Sequence, residues 1–133
     1  MKSLILASSS KIRAEMLRNA GVSVETIAAR VEEGAIQSSL LSDGASARDV
    51  ADALAEMKAR RIAMREPSAL VLGADQVLVC DGKLYDKPKS VEDARGQLGE
   101  LRGKTHELLS AAVIFEGGEP VWRHIGRAQL MMR

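Results

Sequence analysis

The dipeptide Asp81-Gly82 constrains this chain more than any other feature, because it joins two short strand-like segments, Val77 to Cys80 and Lys83 to Tyr85. A two-residue hairpin loop needs positive φ at its central residues, which Asp-Gly tolerates, so the flanking strands run antiparallel. Any sheet built on this hairpin cannot be purely parallel. The surrounding segments alternate in type. Leu4 to Ala7 is a short apolar run, and Lys11 to Ala20 follows with Ile12, Met16 and Leu17 on one helical face before Gly21 stops it. Val22 to Ala28 reads as a strand and Ser38 to Ser46 as a polar loop. Ala47 to Met64 is the clearest helix, with Val50, Leu54, Met57 and Ile62 at helical spacing, and Glu66-Pro67 ends it. Ala69 to Leu72 is a further apolar run, and Ser90 caps a helix carrying Leu98 and Leu101. Thr105 to Phe115 and Val121 to Met132 form a hairpin through residues 116–120. The order β-α-β-α-β-β-α-β-β predicts a mixed α/β or α+β domain.

Composition narrows the function classes. A chain of 133 residues with 46% hydrophobic and 28% charged side chains is one ordinary domain, able to bury a core without disulfides or structural metals. Nineteen basic against 18 acidic residues, a net charge of +1 and no run of like charge disfavour direct nucleic-acid binding and a polybasic membrane anchor. Tyr85, Phe115 and Trp122 are the only aromatic residues, too few for a base-stacking platform. No stretch approaches a membrane span, and the lone Cys80 reads as a small core residue in a cytoplasmic protein. His106 and His124 lack metal-ligand spacing and read as structural.

Four places carry chemistry. Ser8-Ser9-Ser10-Lys11-Ile12-Arg13 puts hydroxyls and cations at a strand-to-helix junction, where unpaired N–H groups suit a phosphate chain or a serine simply caps the helix. No Walker-type glycine-rich loop and no GxGxxG is present. Lys58 lies four residues from Leu54 and from Ile62, on the inward face of its helix, where it either snorkels to water or clamps phosphate. Asp75, in Gly73-Ala74-Asp75-Gln76 at the end of an apolar run, could hold Mg²⁺, take a proton from water, or cap a turn. The pair Glu32-Glu33 is open to the same metal role or to a solvated loop edge, and Lys87 is presented on a proline-stiffened loop as a phosphate contact or a plain surface lysine. Together, cations at Arg13, Lys58 and Lys87 with carboxylates at Glu33 and Asp75 suggest phosphoanhydride hydrolysis.

The ordered set Leu6-Ala-Ser-Ser-Ser-Lys-Ile-Arg13, Val31-Glu32-Glu33, Ala55-Glu56-Met57-Lys58-Ala59, Gly73-Ala74-Asp75-Gln76-Val77, Asp86-Lys87-Pro88 and Leu101-Arg102-Gly103-Lys104-Thr105-His106 resembles the Maf family of nucleoside triphosphate pyrophosphatases, once described as septum formation inhibitors. The resemblance covers nearly the whole chain. It implies a fold related to the inosine triphosphate pyrophosphatases, an elongated mixed sheet flanked by helices with a nucleotide cleft between two lobes. It also implies hydrolysis of a nucleoside triphosphate to monophosphate and pyrophosphate with Mg²⁺, Mn²⁺ or Co²⁺, in nucleotide-pool sanitation and cell-division arrest. Carried over by position, Asp75 is the proton acceptor and shares the metal with Glu33. Arg13, with Ser8 and Ser10 beside it, and the two lysines Lys58 and Lys87 bind the phosphates, which selects the functional role for Lys58.

Two departures bear on the base. Ile12 stands where family members commonly have a second arginine, and Gln76 stands where enzymes acting on ordinary pyrimidine nucleotides often carry threonine and resembles the 7-methylguanosine triphosphate branch. A modified or non-standard nucleotide is the expected substrate. The sequence stops at Arg133, where the family continues through a Lys-Ala-Gly-x-Tyr-type segment and a further strand and helix, so residues 1–133 read as a single Maf-like domain without the family's C-terminal portion. The competing expectations are a non-catalytic nucleotide-binding or division-regulating protein, and an incomplete domain that forms a homodimer through exposed apolar strands.

Overall fold

The structure, a computed structural model, describes residues 3–85 and 88–133. Its elements are β1 (Leu4–Leu6), α1 (Lys11–Asn19), β2 (Glu25–Thr26), α2 (Glu33–Ser42), α3 (Ala47–Ala63), β3 (Leu70–Cys80), β4 (Lys83–Tyr85), α4 (Val91–Leu101), β5 (Thr105–Glu116) and β6 (Glu119–Met131). The strands form one six-stranded sheet in the order β2-β1-β3-β5-β6, with β4 also paired to β3. β1 runs parallel to β2 and β3, whereas the β3–β4, β3–β5 and β5–β6 pairs are antiparallel. The sheet is therefore mixed, as the hairpin requires. Asp81 (φ 51°) and Gly82 (φ 78°) both take the left-handed conformation expected of that turn.

α3 supplies most of the core. Ser46 caps it: its hydroxyl accepts from the Asp49 N–H at 3.1 Å, and the Asp49 carboxylate accepts from the Ser46 N–H at 3.4 Å. Val50, Leu54 and Ile62 pack with Val71 of β3 and with Val113 and Phe115 of β5, all buried. Burial of each of these large side chains contributes roughly 1.5–3 kcal/mol. The helix approaches the sheet most closely at Gly73, where a Cβ would lie 2.1 Å from the Ala55 carbonyl oxygen and 2.8 Å from Ala59 Cβ. At the sheet edge, Arg123 of β6 donates to Asp52 Oδ2 at 2.7 Å and to Glu56 Oε1 at 2.6 Å, tying the last strand to α3.

Several expectations are corrected. The segment Ser38 to Ser46 is not all loop, because α2 extends through Ser42; Ile36 and Leu40, four residues apart, pack on the core and override the weak helix propensity of the serines. Strand Val22 to Ala28 reduces to Glu25–Thr26. The runs Ala69 to Leu72 and Val77 to Cys80 belong to one strand, since its ladder with β5 is unbroken from Leu70↔Glu116 to Val79↔Glu107. In α1 the apolar stripe does not face the core: Ile12 is 72% and Met16 62% exposed, and Ala14 is the buried residue. Periodicity fixes which residues share a face, and the small Ala14 is what lets α1 seat. Cys80 is buried, as expected, with its thiol 3.6 Å from the Thr105 carbonyl, and His106 is buried.

Gly73→Ala should destabilise the protein by about 3 kcal/mol, because the new methyl meets backbone rather than a movable side-chain end. Gly96→Ala in α4, where nothing lies within 4 Å of the added Cβ, should instead stabilise by roughly 0.5–1 kcal/mol. Urea unfolding of the two variants checks both signs.

Candidate functional site

Asp75 lies at the middle of β3 rather than at a strand end. Its position is still special. The β1 register ends at Leu6↔Leu72 and the β4 register begins at Tyr85↔Leu78, so residues 73–77 lie between the two neighbours. Alternation along the strand puts Val71, Gly73, Asp75 and Val77 on the face that α3 covers. Because Gly73 lets Ala55 and Ala59 sit against the strand, Lys58 of the same helix turn comes down beside Asp75.

Lys58 is the centre of the cluster. Its Nζ donates to Asp75 Oδ1 at 3.1 Å and lies 2.5 Å from Glu33 Oε1. The Lys58 and Asp75 side chains are 12% and 11% exposed, whereas Glu33, at the first turn of α2, is 50% exposed. Glu33 is thus the solvent side of the cluster and Asp75 its floor. Asp75 Oδ2 is buried and makes no hydrogen bond. Burial raises the Asp75 pKa above its ordinary value of 3.8; Lys58, by charge and hydrogen bond, opposes the rise, Glu33 adds to it, and Arg13 counters it.

The β1–α1 junction closes the site from the other side. Ser8, buried, accepts from the Ser10 N–H at 3.0 Å and from Arg13 Nη1 at 3.4 Å. Arg13 Nη1 also lies 3.4 Å from the Ala74 carbonyl oxygen, next in chain to Asp75. The Ser10 hydroxyl accepts from the Arg13 N–H at 3.3 Å and so caps α1. The two serines therefore divide the work: Ser10 holds the helix start and Ser8 aims the guanidinium.

The structure brings together Ser8, Ser10, Arg13, Glu33, Lys58 and Asp75. Gln76 is exposed on the opposite face of the sheet, and Ile12 is exposed on α1. Lys87 lies outside the described residues. Gly73, Ala55 and Ala59 stand in the sequence only as members of the quoted motifs, although an alanine pair at four-residue spacing opposite a strand glycine is a signal for close helix approach.

A divalent cation fits this donor set. Mg²⁺ takes oxygen ligands and is commonly held by one or two carboxylates with substrate phosphates completing its shell. Glu33 and Asp75 each offer one oxygen, Oε1 and Oδ1, to the position that Lys58 Nζ holds, and Asp75 keeps a second, buried oxygen without a partner. Among the described residues no group of three or more His, Cys, Asp or Glu side chains could hold a metal alone. Any such ion here therefore depends on the ligand's own oxygens.

Burial should make Asp75 a liability for folding. Below the ordinary carboxyl range both folded and unfolded forms are protonated; above the raised folded value the charge must be buried, so stability falls as pH rises between the two. The gap in melting temperature, Asp75→Asn minus wild type, should accordingly grow as pH rises from 4 to 7. A gap that widens in acid would contradict this account, and thermal melts across that range decide it.

The chain is 53% identical over 130 residues to a protein of Ruegeria pomeroyi named nucleoside triphosphate pyrophosphatase, covering 98% of the chain and 65% of that relative. It is 47% identical over 130 residues to a protein of Mesorhizobium japonicum named 7-methyl-GTP pyrophosphatase, covering 98% and 65%. It spans 65% of the length of both curated relatives. In fold it is similar to a HAM1 protein from Coxiella burnetii, with a TM-score of 0.59 and 16% identity over 97% of the chain and 72% of that structure. The Maf-like protein family matches residues 3–133, and the chain belongs to that family.

Proposed function

We propose that the chain carries the hydrolytic site of a nucleoside triphosphate pyrophosphatase, which cleaves its substrate to nucleoside monophosphate and pyrophosphate. The observation that carries this reading is the seating of Lys58 between Glu33 and Asp75, beside an arginine aimed by Ser8. Paired carboxylates next to fixed cations suit a polyanionic substrate attacked by water.

In this reading the triphosphate lies across Arg13 and Lys58, which neutralise its oxygens, with Lys87 as the second lysine. Water attacks the α-phosphorus in line with the departing pyrophosphate. Asp75 takes the proton, and burial, which raises its pKa, makes it a better acceptor than an exposed aspartate. Lys58 and Arg13 then stabilise charge growing on the leaving oxygens. A bound Mg²⁺, Mn²⁺ or Co²⁺, held by Glu33 and Asp75, would supply Lewis-acid neutralisation of the phosphate oxygens.

Gln76 and Ile12 stand apart from the carboxylates, and we assign them to the base end of the substrate. A modified nucleotide is our preferred substrate, 7-methylguanosine triphosphate first among them, since Gln76 matches that branch and a relative bears that name. Among the described residues no helix is long and apolar enough to cross a membrane. Nucleotide-pool sanitation in the cytoplasm is the setting we propose.

Pyrophosphate release from a panel of 7-methyl-GTP, GTP, UTP and dTTP with Mg²⁺ or Mn²⁺ tests the reading. Asp75→Asn should lower kcat at least about 100-fold, the usual contribution of a general base. Unchanged activity would overturn the assignment of Asp75. Calorimetric nucleotide binding without turnover in the wild type would select a binding protein instead.

A further inference from the structure

One oxygen of each carboxylate, Glu33 Oε1 and Asp75 Oδ1, contacts the same atom, Lys58 Nζ. A divalent cation bound through the same oxygens at the usual 2.0–2.1 Å would share the ammonium's position or touch it. Two like charges do not share such a place at 11–12% side-chain exposure, where solvent screening is weak. The ammonium also serves the pair incompletely, because Asp75 Oδ2 remains buried without a partner. By formal charge the cations Lys58 and Arg13 balance the two carboxylates, although Arg13 acts on Asp75 more weakly than Lys58 does. A lone divalent ion would therefore enter a neutral cluster and leave its own charge uncompensated, whereas one arriving on a triphosphate brings anionic oxygens with it.

We propose that Lys58 holds the place of the divalent cation in the ligand-free site, keeping Glu33 and Asp75 together, and that its ammonium moves from them to the phosphates when cation and nucleotide enter as one complex. The identity of the incoming anion rests on the pyrophosphatase reading; the competition between ammonium and cation does not. The base of the Lys58 side chain stays fixed, because its helix is seated on Gly73 through Ala55 and Ala59. Only the side chain has to move. The consequence runs against the usual effect of damaging an active site. Removing the ammonium should improve cation binding in the absence of nucleotide while abolishing turnover.

The test is Mn²⁺ binding to the nucleotide-free protein, followed by electron paramagnetic resonance of the free ion. Lys58→Met and Lys58→Gln should bind Mn²⁺ at least about tenfold more tightly than the wild type, as expected when a like charge is removed from contact. Adding Glu33→Gln to Lys58→Met should remove that gain. Equal or weaker Mn²⁺ binding in both single variants overturns the proposal. Should both variants fail to fold without metal, millimolar Mn²⁺ must restore a cooperative melt, and failure to restore it also overturns the proposal. The two readings separate cleanly. Nucleotide turnover by the wild type with no gain in the variants removes the place-holder and keeps the pyrophosphatase; a gain in the variants with no turnover by the wild type does the reverse.

Discussion

The close approach of α3 to β3 at Gly73 is the constraint on which the rest of the structure depends. A side chain at that position would overlap the backbone of α3, so glycine on the strand and alanines at 55 and 59 are jointly required. This contact sets the height of the helix above the sheet. Height in turn decides whether Val50, Leu54 and Ile62 reach Val71, Val113 and Phe115, and whether Lys58 reaches Asp75. Core packing and site geometry are thus two results of one missing Cβ. The β5 ladder, continuous past Gly73, keeps the strand from bending away under the helix.

On that scaffold the site balances burial against charge. Burial disfavours the Asp75 charge, and Lys58 and Arg13 partly offset the penalty. The residual effect favours the proton, which suits a group proposed to receive one. Glu33, half exposed, completes the pair from the solvent side, while Ser8 spends its hydroxyl orienting Arg13. No member is placed by its own element alone. Five elements or junctions contribute, and each side chain is oriented by a neighbour from another.

Much of this was legible in the sequence because local chemistry coincided with tertiary outcome. Asp81-Gly82 announced an antiparallel pair, the period of Ala47 to Met64 gave α3 and put Lys58 inward, and Ser90 marked the start of α4. What was missed depended on contacts between distant segments. Asp75 reads as a strand end when Gly73-Ala74 is taken as an interruption, yet pairing with β5 carries the strand through. The serines of α2 read as loop until Ile36 and Leu40 find the core. Ile12 and Met16 share a helical face, but nothing local states that Ala14 is the residue that seats. The cluster itself was assembled from the order of motifs, whereas its internal roles, Ser10 as cap, Ser8 as orienter and Lys58 as bridge, are properties of distance that spacing cannot express.

We take the Asp75–Lys58 cluster to direct water to the α-phosphorus of a nucleoside triphosphate. Hydrolysis in H₂¹⁸O tests it most directly, with products resolved by mass spectrometry. The label should enter the nucleoside monophosphate, with none in pyrophosphate. Label in the pyrophosphate, which would mean attack at the β-phosphorus, would contradict it.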